Sequence, residues 1–245
     1  MNARVTERDV RLLAKLGVCR WLTTTQVKRL YFPEATLNAV QKRLRKLSDA
    51  GYLRSHREHL TAEAMHAVGP KGKPLVKEKG IEVTLSHDVP AQLEHLVGVN
   101  DLRVAVEASG MDVAWFFGYW ELSDLGWTHP VIPDAVFAVR VPERRCFVLE
   151  YDRSTETIEK LVHKLRYYDR GLPGFPFEAV VIVAERTRQL DLISREMRRE
   201  SLTVVLLASA AAEVTDAAIF ACEFTEVPGG KRRKLLDSPR EDLEI

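Results

Sequence analysis

The sequence predicts an α/β chain in two parts, and three observations lead there. Residues 1–80 hold 17 Lys and Arg against 7 Asp and Glu, while residues 81–245 hold 19 against 28, so the net charge of +1 conceals a basic part and an acidic one. The basic part reads as short capped helices; the acidic part alternates amphipathic helices with apolar runs such as EAVVIVAE and LTVVLL. With 46% hydrophobic residues the chain can fill a proper core, which argues against a disordered or fibrous protein.

The elements follow in order. Thr6, with Asp9 three residues on, opens a helix to about Leu16 whose apolar side is Val10, Leu13, Ala14 and Leu16. Thr23 and Gln26 form a capping box for a second helix that buries Val27 and Leu30 and stops at Pro33. A third helix, about Ala35 to Ala50, carries Leu37, Val40, Leu44 and Leu47 at helical spacing and ends at Gly51, a left-handed cap. YLRSHREHL and MHAVGP then read as a two-stranded wing, and Lys71 to Lys79 as a small helix.

Three helices followed by a wing are a winged helix-turn-helix, and the third helix has the side chains such a unit needs. Opposite its apolar stripe lie Asn38, Lys42, Arg45 and Lys46, with Gln41 on the flank. Asn and Gln read adenine edges, Arg reads guanine or phosphate, and Lys neutralises phosphate. Arg54, His56 and Arg57 in the wing are placed to reach the backbone of double-stranded DNA. The plain alternative is a solvated Lys/Arg face.

The expected division is a DNA-binding domain over 1–80, a linker over 81–89, a second domain over 90–225 and a polar tail over 226–245 that contains the basic run KRRK. The second domain opens with a helix through Leu93, Leu96, Val97, Leu102 and Val106. A strand DVAWFFGYWEL follows, then DAVFAVRV and CFVLEY, which are too close for a crossover and form an antiparallel hairpin. A helix from about Thr155 to Arg170, the strand EAVVIVAE, the helix TRQLDLISREMRRE and the strand LTVVLL complete the order α, β, β, β, α, β, α, β. No apolar run reaches the roughly 18 residues of a membrane span and MNARVTERDV is not a signal peptide, so a cytoplasmic protein is expected. Cys19, Cys146 and Cys222 lack zinc or disulfide spacing and are expected to be packed thiols.

The strand end VLEYDRST carries the chemistry. Glu150 and Asp152 share one face of a strand, roughly 6 to 7 Å apart along the backbone, and repel unless a cation lies between them. In the preceding hairpin Asp134 joins them only if paired residue numbers add to an even value. A three-residue loop closing 141 on 145 gives 286 and sets Asp134 opposite Asp152; a four-residue loop gives 287 and sends it to the other face. The even register is expected. On the next helix Lys164 lies at the border of the stripe Ile158, Leu161, Val162, Leu165 and Tyr168, where it can reach back to the strand ends, while Lys160 faces water.

This order, with Pro133-Asp134, Glu150-x-Asp152 and Lys164, resembles the core of the restriction-endonuclease-like PD-(D/E)xK superfamily. Across RDVRLLAKLGVCRWLTTTQVKRLYFP, QKRLRKLSDAGYLR, HLVGVNDLRVA, IPDAV, FVLEYDRSTET and KLRYY the chain resembles the replication-relaxation family of plasmid and mobile-element proteins. The resemblance implies a restriction-endonuclease-like second domain with a mixed central sheet, and work in replication, DNA relaxation or nicking, or mobilisation. It implies Asp134 and Glu150 as ligands of Mg²⁺, with Asp152 beside them and Glu94 or Glu107 as a further candidate. The sequence departs from the superfamily where Asp152 stands in place of the usual lysine; Lys164 is the replacement.

Each of these residues also has an ordinary role: a strand start for Asp134, a helix cap for Asp152, a packed histidine for His95, a surface lysine for Lys164. Two functions therefore stay open. One is a Mg²⁺-dependent DNA nickase of PD-(D/E)xK type. The other is a non-enzymatic regulator or initiator accessory whose degenerate nuclease-like domain serves as a homodimer interface or recruits replication or mobilisation proteins.

Overall fold

The computed structural model describes residues 4–83, 89–154, 156–216 and 219–237. It divides into two units, Met1–Val104 and Ala105–Ile245. Residues 84–88 of the expected linker, Thr155 and residues 238–245 of the expected tail lie outside the described residues.

The first unit runs α1 (Glu7–Cys19), β1 (Leu22–Thr23), α2 (Thr24–Tyr31), α3 (Leu37–Asp49), β2 (Leu53–His56), β3 (Met65–Val68), α4 (Gly72–Lys77) and most of α5 (Leu93–Glu107). Its starts are written in short polar motifs. Thr6 and Asp9 form a reciprocal capping box on α1, and Thr23 and Gln26 form another on α2, where Thr23 N–H donates to Gln26 Oε1 at 2.8 Å. At the end of α3, Tyr52 N–H donates to Leu47 O and Gly51 N–H to Ser48 O, both at 2.9 Å, with Gly51 at φ 82°. These two bonds make a Schellman motif, and the φ is one that glycine adopts without steric cost.

Leu12, Leu13, Leu16, Val27, Val40, Leu44, Leu47, Leu53 and Val68 close one core between the helices and a three-stranded sheet of order β1-β3-β2. A buried ion pair ties α1 to α3: Arg43 donates through Nε to Asp9 Oδ1 at 3.0 Å and through a terminal nitrogen to Oδ2. Burial opposes the Asp9 charge, yet the hydrogen bonds from Arg43 and Thr6 outweigh it and hold the carboxyl below the usual range. Leu37, expected in the buried stripe, is 44% exposed instead. It is the first helical residue after the cap Thr36, one turn short of where α3 meets the core. The first unit also takes α5 residues up to Val104, because Gln26 donates to Val97 O and Asp101 Oδ1, and Asn100 donates to Cys19 O and Trp21 O.

The second unit is a mixed seven-stranded sheet of order β10-β9-β8-β7-β6-β5-β4. Its elements are β4 (Val113–Gly118), α6 (Tyr119–Leu122), β5 (Ala135–Val141), β6 (Glu143–Asp152), α7 (Ile158–Asp169), β7 (Ala179–Ala184), α8 (Thr187–Met197), β8 (Leu206–Ala210), α9 (Ala211–Asp216), β9 (Glu223–Val227) and β10 (Arg232–Lys234). The crossovers β6-α7-β7-α8-β8 make the central strands parallel; the others pair antiparallel. β7 is buried throughout, as its continuous apolar sequence requires. Val136, Val148, Val180, Ile182, Leu206 and Ala208 pack on Leu161, Leu165 and Tyr168 of α7 and on Ile193 and Met197 of α8. Strand alternation therefore turns the even-numbered residues of β5, β6 and β7 toward these helices.

Three sequence expectations change in this unit. The strand expected through Leu122 ends at Gly118, where Glu121 caps α6 by accepting from Gly118 N–H at 2.8 Å. The tail expected from 226 is, as far as Lys234, an edge hairpin: Arg232 pairs with Glu223 at 3.1 Å and Arg233 with Glu226 at 3.5 Å. The β5–β6 hairpin has the expected even parity but not the expected loop. Val141 pairs with Glu143 across Pro142 alone and Ala135 with Leu149, so paired numbers add to 284. The ladder is two residues tighter than a three-residue loop allows, a shift that preserves the face and changes the partner.

Candidate carboxylate–lysine site and polar face of α3

The register carried one step beyond Ala135 and Leu149 sets Asp134 opposite Glu150 rather than Asp152. Both lie on the face covered by α7, at the carboxyl end of β6, where ligands of open α/β sheets bind. Glu150 is 2% exposed. Lys164 donates to its Oε2 at 2.7 Å, and the Tyr168 hydroxyl donates to its Oε1. Lys164 and Tyr168 are four residues apart on α7, so they meet the strand from one helix face. Asp134 is half-buried and accepts from Tyr151 N–H through Oδ2 at 2.7 Å.

Burial pushes the Glu150 carboxyl up to about 7, the Asp134 charge adds to that, and Lys164 and Tyr168 only partly offset it. Lys164 responds in the opposite sense. Burial works against its charge, but Glu150 and Asp134 together hold its ammonium above the ordinary lysine value. The Tyr168 hydroxyl is also raised, first by burial and then by Glu150, so it stays a donor. Two carboxylates thus share one fixed cation.

Asp152 is on the same strand face but is turned to other partners: Ser154 N–H donates to Oδ1 at 2.8 Å and Gln189 Nε2 to Oδ2 at 2.9 Å. Ser154 has φ 61°, a conformation that costs a non-glycine residue roughly 1 kcal/mol and recurs beside functional sites. Among the described residues no group of three or more His, Cys, Asp or Glu is placed to hold a metal ion. The structure therefore brings together Asp134, Glu150 and Lys164, and leaves Asp152 beside them. Lys160 is exposed. Glu94 is exposed on α5, and Glu107 at its end is half-buried.

Tyr168 and Gln189 escaped the sequence reading as site residues. Tyr168 was legible as part of an apolar stripe, and the signal for more was its hydroxyl, which must find a partner once buried. Gln189 gave no signal beyond its place in the first turn of a helix that follows a parallel strand.

In the first unit, Asn38, Gln41, Lys42, Arg45 and Lys46 are all exposed along α3. Arg45 lies 3.9 Å from Asp49, an exposed i,i+4 pair of little strength. Arg54 is half-buried on β2, and Arg57 braces the hairpin turn by donating to Leu60 O and Ala62 O at 3.4 and 3.3 Å. His56 packs edge-on to Trp21. On β3, His66 is 4% exposed, its Nδ1 against Ser55 Oγ at 2.9 Å and its Nε2 against Thr24 Oγ1 at 3.0 Å. Burial, helped by the charge of Arg57, lowers His66 to about 4 and keeps it neutral. Cys19, Cys146 and Cys222 are free and buried. Among the described residues no helix is long and apolar enough to cross a membrane.

Fold and site together define a chain of two α/β units, one with a basic helix face in water and the other with a carboxylate–lysine pair at the end of a mixed sheet. Residues 13–172 match the replication-relaxation family model, about two thirds of the chain, and the protein belongs to that family. The match spans α3 and every predicted site residue from Asp134 to Lys164. No curated protein and no solved structure matches the chain. Family membership suggests a role in the replication or relaxation of plasmid or mobile-element DNA.

Proposed function

We propose that this protein binds double-stranded DNA of a plasmid or mobile element through a winged helix-turn-helix in its first unit, and acts in replication, relaxation or nicking, or mobilisation. The observation that carries the reading is the solvent face of α3. Asn38, Gln41, Lys42, Arg45 and Lys46 stand in water together on a 13-residue helix, after α1 and α2 and before the β2–β3 hairpin. That is the order in which a winged helix presents its recognition helix, and the residue mix suits base edges and phosphates. The excess of ten basic residues over residues 1–80 supplies the attraction.

The second unit is read as restriction-endonuclease-like. Its donor set fits Mg²⁺, which takes one or two carboxylates and fills its other positions with water and phosphate oxygens. Asp134 and Glu150 would hold the ion; bound there, it supplies Lewis-acid stabilisation of charge on a phosphate. The chain's own contribution is positional. Tyr168 fixes the Glu150 carboxylate, Asp134 is anchored by Tyr151 N–H, and Lys164 keeps a full positive charge beside both.

A second reading, a regulator or initiator accessory with a degenerate site used for dimerisation or recruitment, is favoured by one observation. Both Glu150 oxygens are already engaged, by Lys164 and Tyr168. Incubation with supercoiled plasmid bearing candidate element DNA separates the two. A nicked product that requires Mg²⁺ or Mn²⁺ and disappears in Asp134→Ala supports the nickase; retention of the plasmid on a gel without nicking supports the regulator; neither binding nor nicking sinks both.

A further inference from the structure

The first turn of α3 carries a side chain that charge does not explain. Leu37 is 44% exposed and lies outside the apolar cluster that fills the first unit. Its neighbours on the helix surface are polar: Gln41 stands one turn on along the same stripe, and Asn38 begins the adjoining stripe with Lys42. Among the described residues, Asn38 and Gln41 make no side-chain hydrogen bond, so two carboxamides and one isobutyl group face water with their binding capacity unspent. They occupy the amino-terminal half of the helix, the part that meets base edges in helix-turn-helix complexes.

Of the base pairs, only A·T presents a methyl group in the major groove, beside the adenine N7 acceptor and N6 donor that a carboxamide grips with both its atoms. Against G·C, Leu37 would cover the cytosine amino group and leave a donor unpaired. We infer that Leu37, Asn38 and Gln41 form an A·T-reading subsite: Leu37 packs on a thymine C5 methyl, and Asn38 or Gln41 holds adenine N6 and N7 in the same or the adjacent base pair. This rests on α3 being the recognition helix and adds the bases it selects.

The test uses the full chain. Sites are first selected from a random duplex library. Each thymine of the selected site is then replaced singly by uracil, which deletes only the methyl, and each adenine by 7-deazaadenine, which deletes only the N7 acceptor. Uracil at one position should weaken wild-type binding about fourfold, the worth of one buried methyl group, and should leave Leu37→Ala unaffected. 7-Deazaadenine at that pair or its neighbour should weaken wild type at least fivefold, and should have no effect in one of Asn38→Ala and Gln41→Ala. Because Leu37, Asn38 and Gln41 are exposed, the three variants should fold as wild type does. A selected site without an A·T pair, tolerance of uracil at every position, or a Leu37→Ala protein that still discriminates uracil overturns the subsite while leaving DNA binding intact. Failure to enrich any duplex overturns the recognition-helix reading and the subsite with it.

Discussion

Both units bury a carboxylate against one cation, but the first also sets a row of cations in water along α3. In the first, Lys42, Arg45 and Lys46 of α3 stay in water; of the buried polar side chains Gln26, Asn100 and His66 are neutral, Asp9 is held by Arg43, and Arg103 donates to Cys19 Sγ at 3.4 Å. In the second, a carboxylate is buried outright, and one lysine serves it and its neighbour Asp134. A surface meant to meet a polyanion gains from hydrated, mobile charge, because attraction through solvent needs no fixed geometry. A site meant to orient a ligand or to specify a fold needs the reverse, a charge fixed by packing.

This contrast yields predictions that run from large effects to small. Lys164→Met removes the cation paired with Glu150 and should destabilise the second unit by about 3 to 5 kcal/mol at pH 8, the usual cost of an uncompensated buried charge. The loss should shrink at pH 5, where Glu150 takes up a proton, and adding Glu150→Gln should restore most of it. Urea unfolding at the two pH values measures this; a loss independent of pH would mean that the lysine stem, not its charge, matters.

Next come two pH slopes of opposite sign. Glu150 titrates near 7 folded and near 4.5 unfolded, so the folded state holds its proton longer; its contribution is intact below 4.5 and is lost as pH rises toward 7. His66 titrates near 4 folded and 6.5 unfolded, so its contribution is intact above 6.5 and is lost as pH falls toward 4. Each difference corresponds to about 3 kcal/mol at most. Glu150→Gln should flatten the first slope alone and His66→Gln the second alone, read by denaturant unfolding with probes in each unit. Slopes of equal sign in the two units would break the comparison.

The smallest effects are at the proposed DNA face. Arg45→Ala should cost about 1 to 3 kcal/mol of binding and relax selectivity at one base position, whereas Lys42→Ala should weaken all sequences and lower the salt slope by about 1. Fluorescence anisotropy across a salt series distinguishes them. Unchanged affinity in both would remove α3 from the interface.

Much of the fold was legible because local chemistry and tertiary packing agree. The capping boxes Thr6–Asp9 and Thr23–Gln26, the left-handed Gly51, the buried run of β7 and the α7 stripe all formed where the sequence set them. At the site, parity alone placed Asp134 on the face of Glu150, since alternation in a strand is rigid. Which residue it opposes was not legible, because that depends on a turn as tight as a single proline, Pro142. The same limit hid β9 and β10, whose polar, partly exposed sequences lack the apolar alternation that marks a strand. Leu37 misled for the converse reason: helical spacing gives the angle of a residue about the axis, but not whether the core extends as far as its turn.

The Asp9–Arg43 pair has a consequence for how α3 presents itself. Residues 42, 43, 45 and 46 are all basic, so the charges alone do not say which of them turns inward beside the buried stripe. By claiming Arg43 in a buried fork, Asp9 helps key the roll of the helix, much as a pin fixes a cam on its shaft. The orientation of the proposed reading surface is thus set by the first helix as well as by the buried stripe of α3, with Asp9 34 residues upstream of the guanidinium it locks.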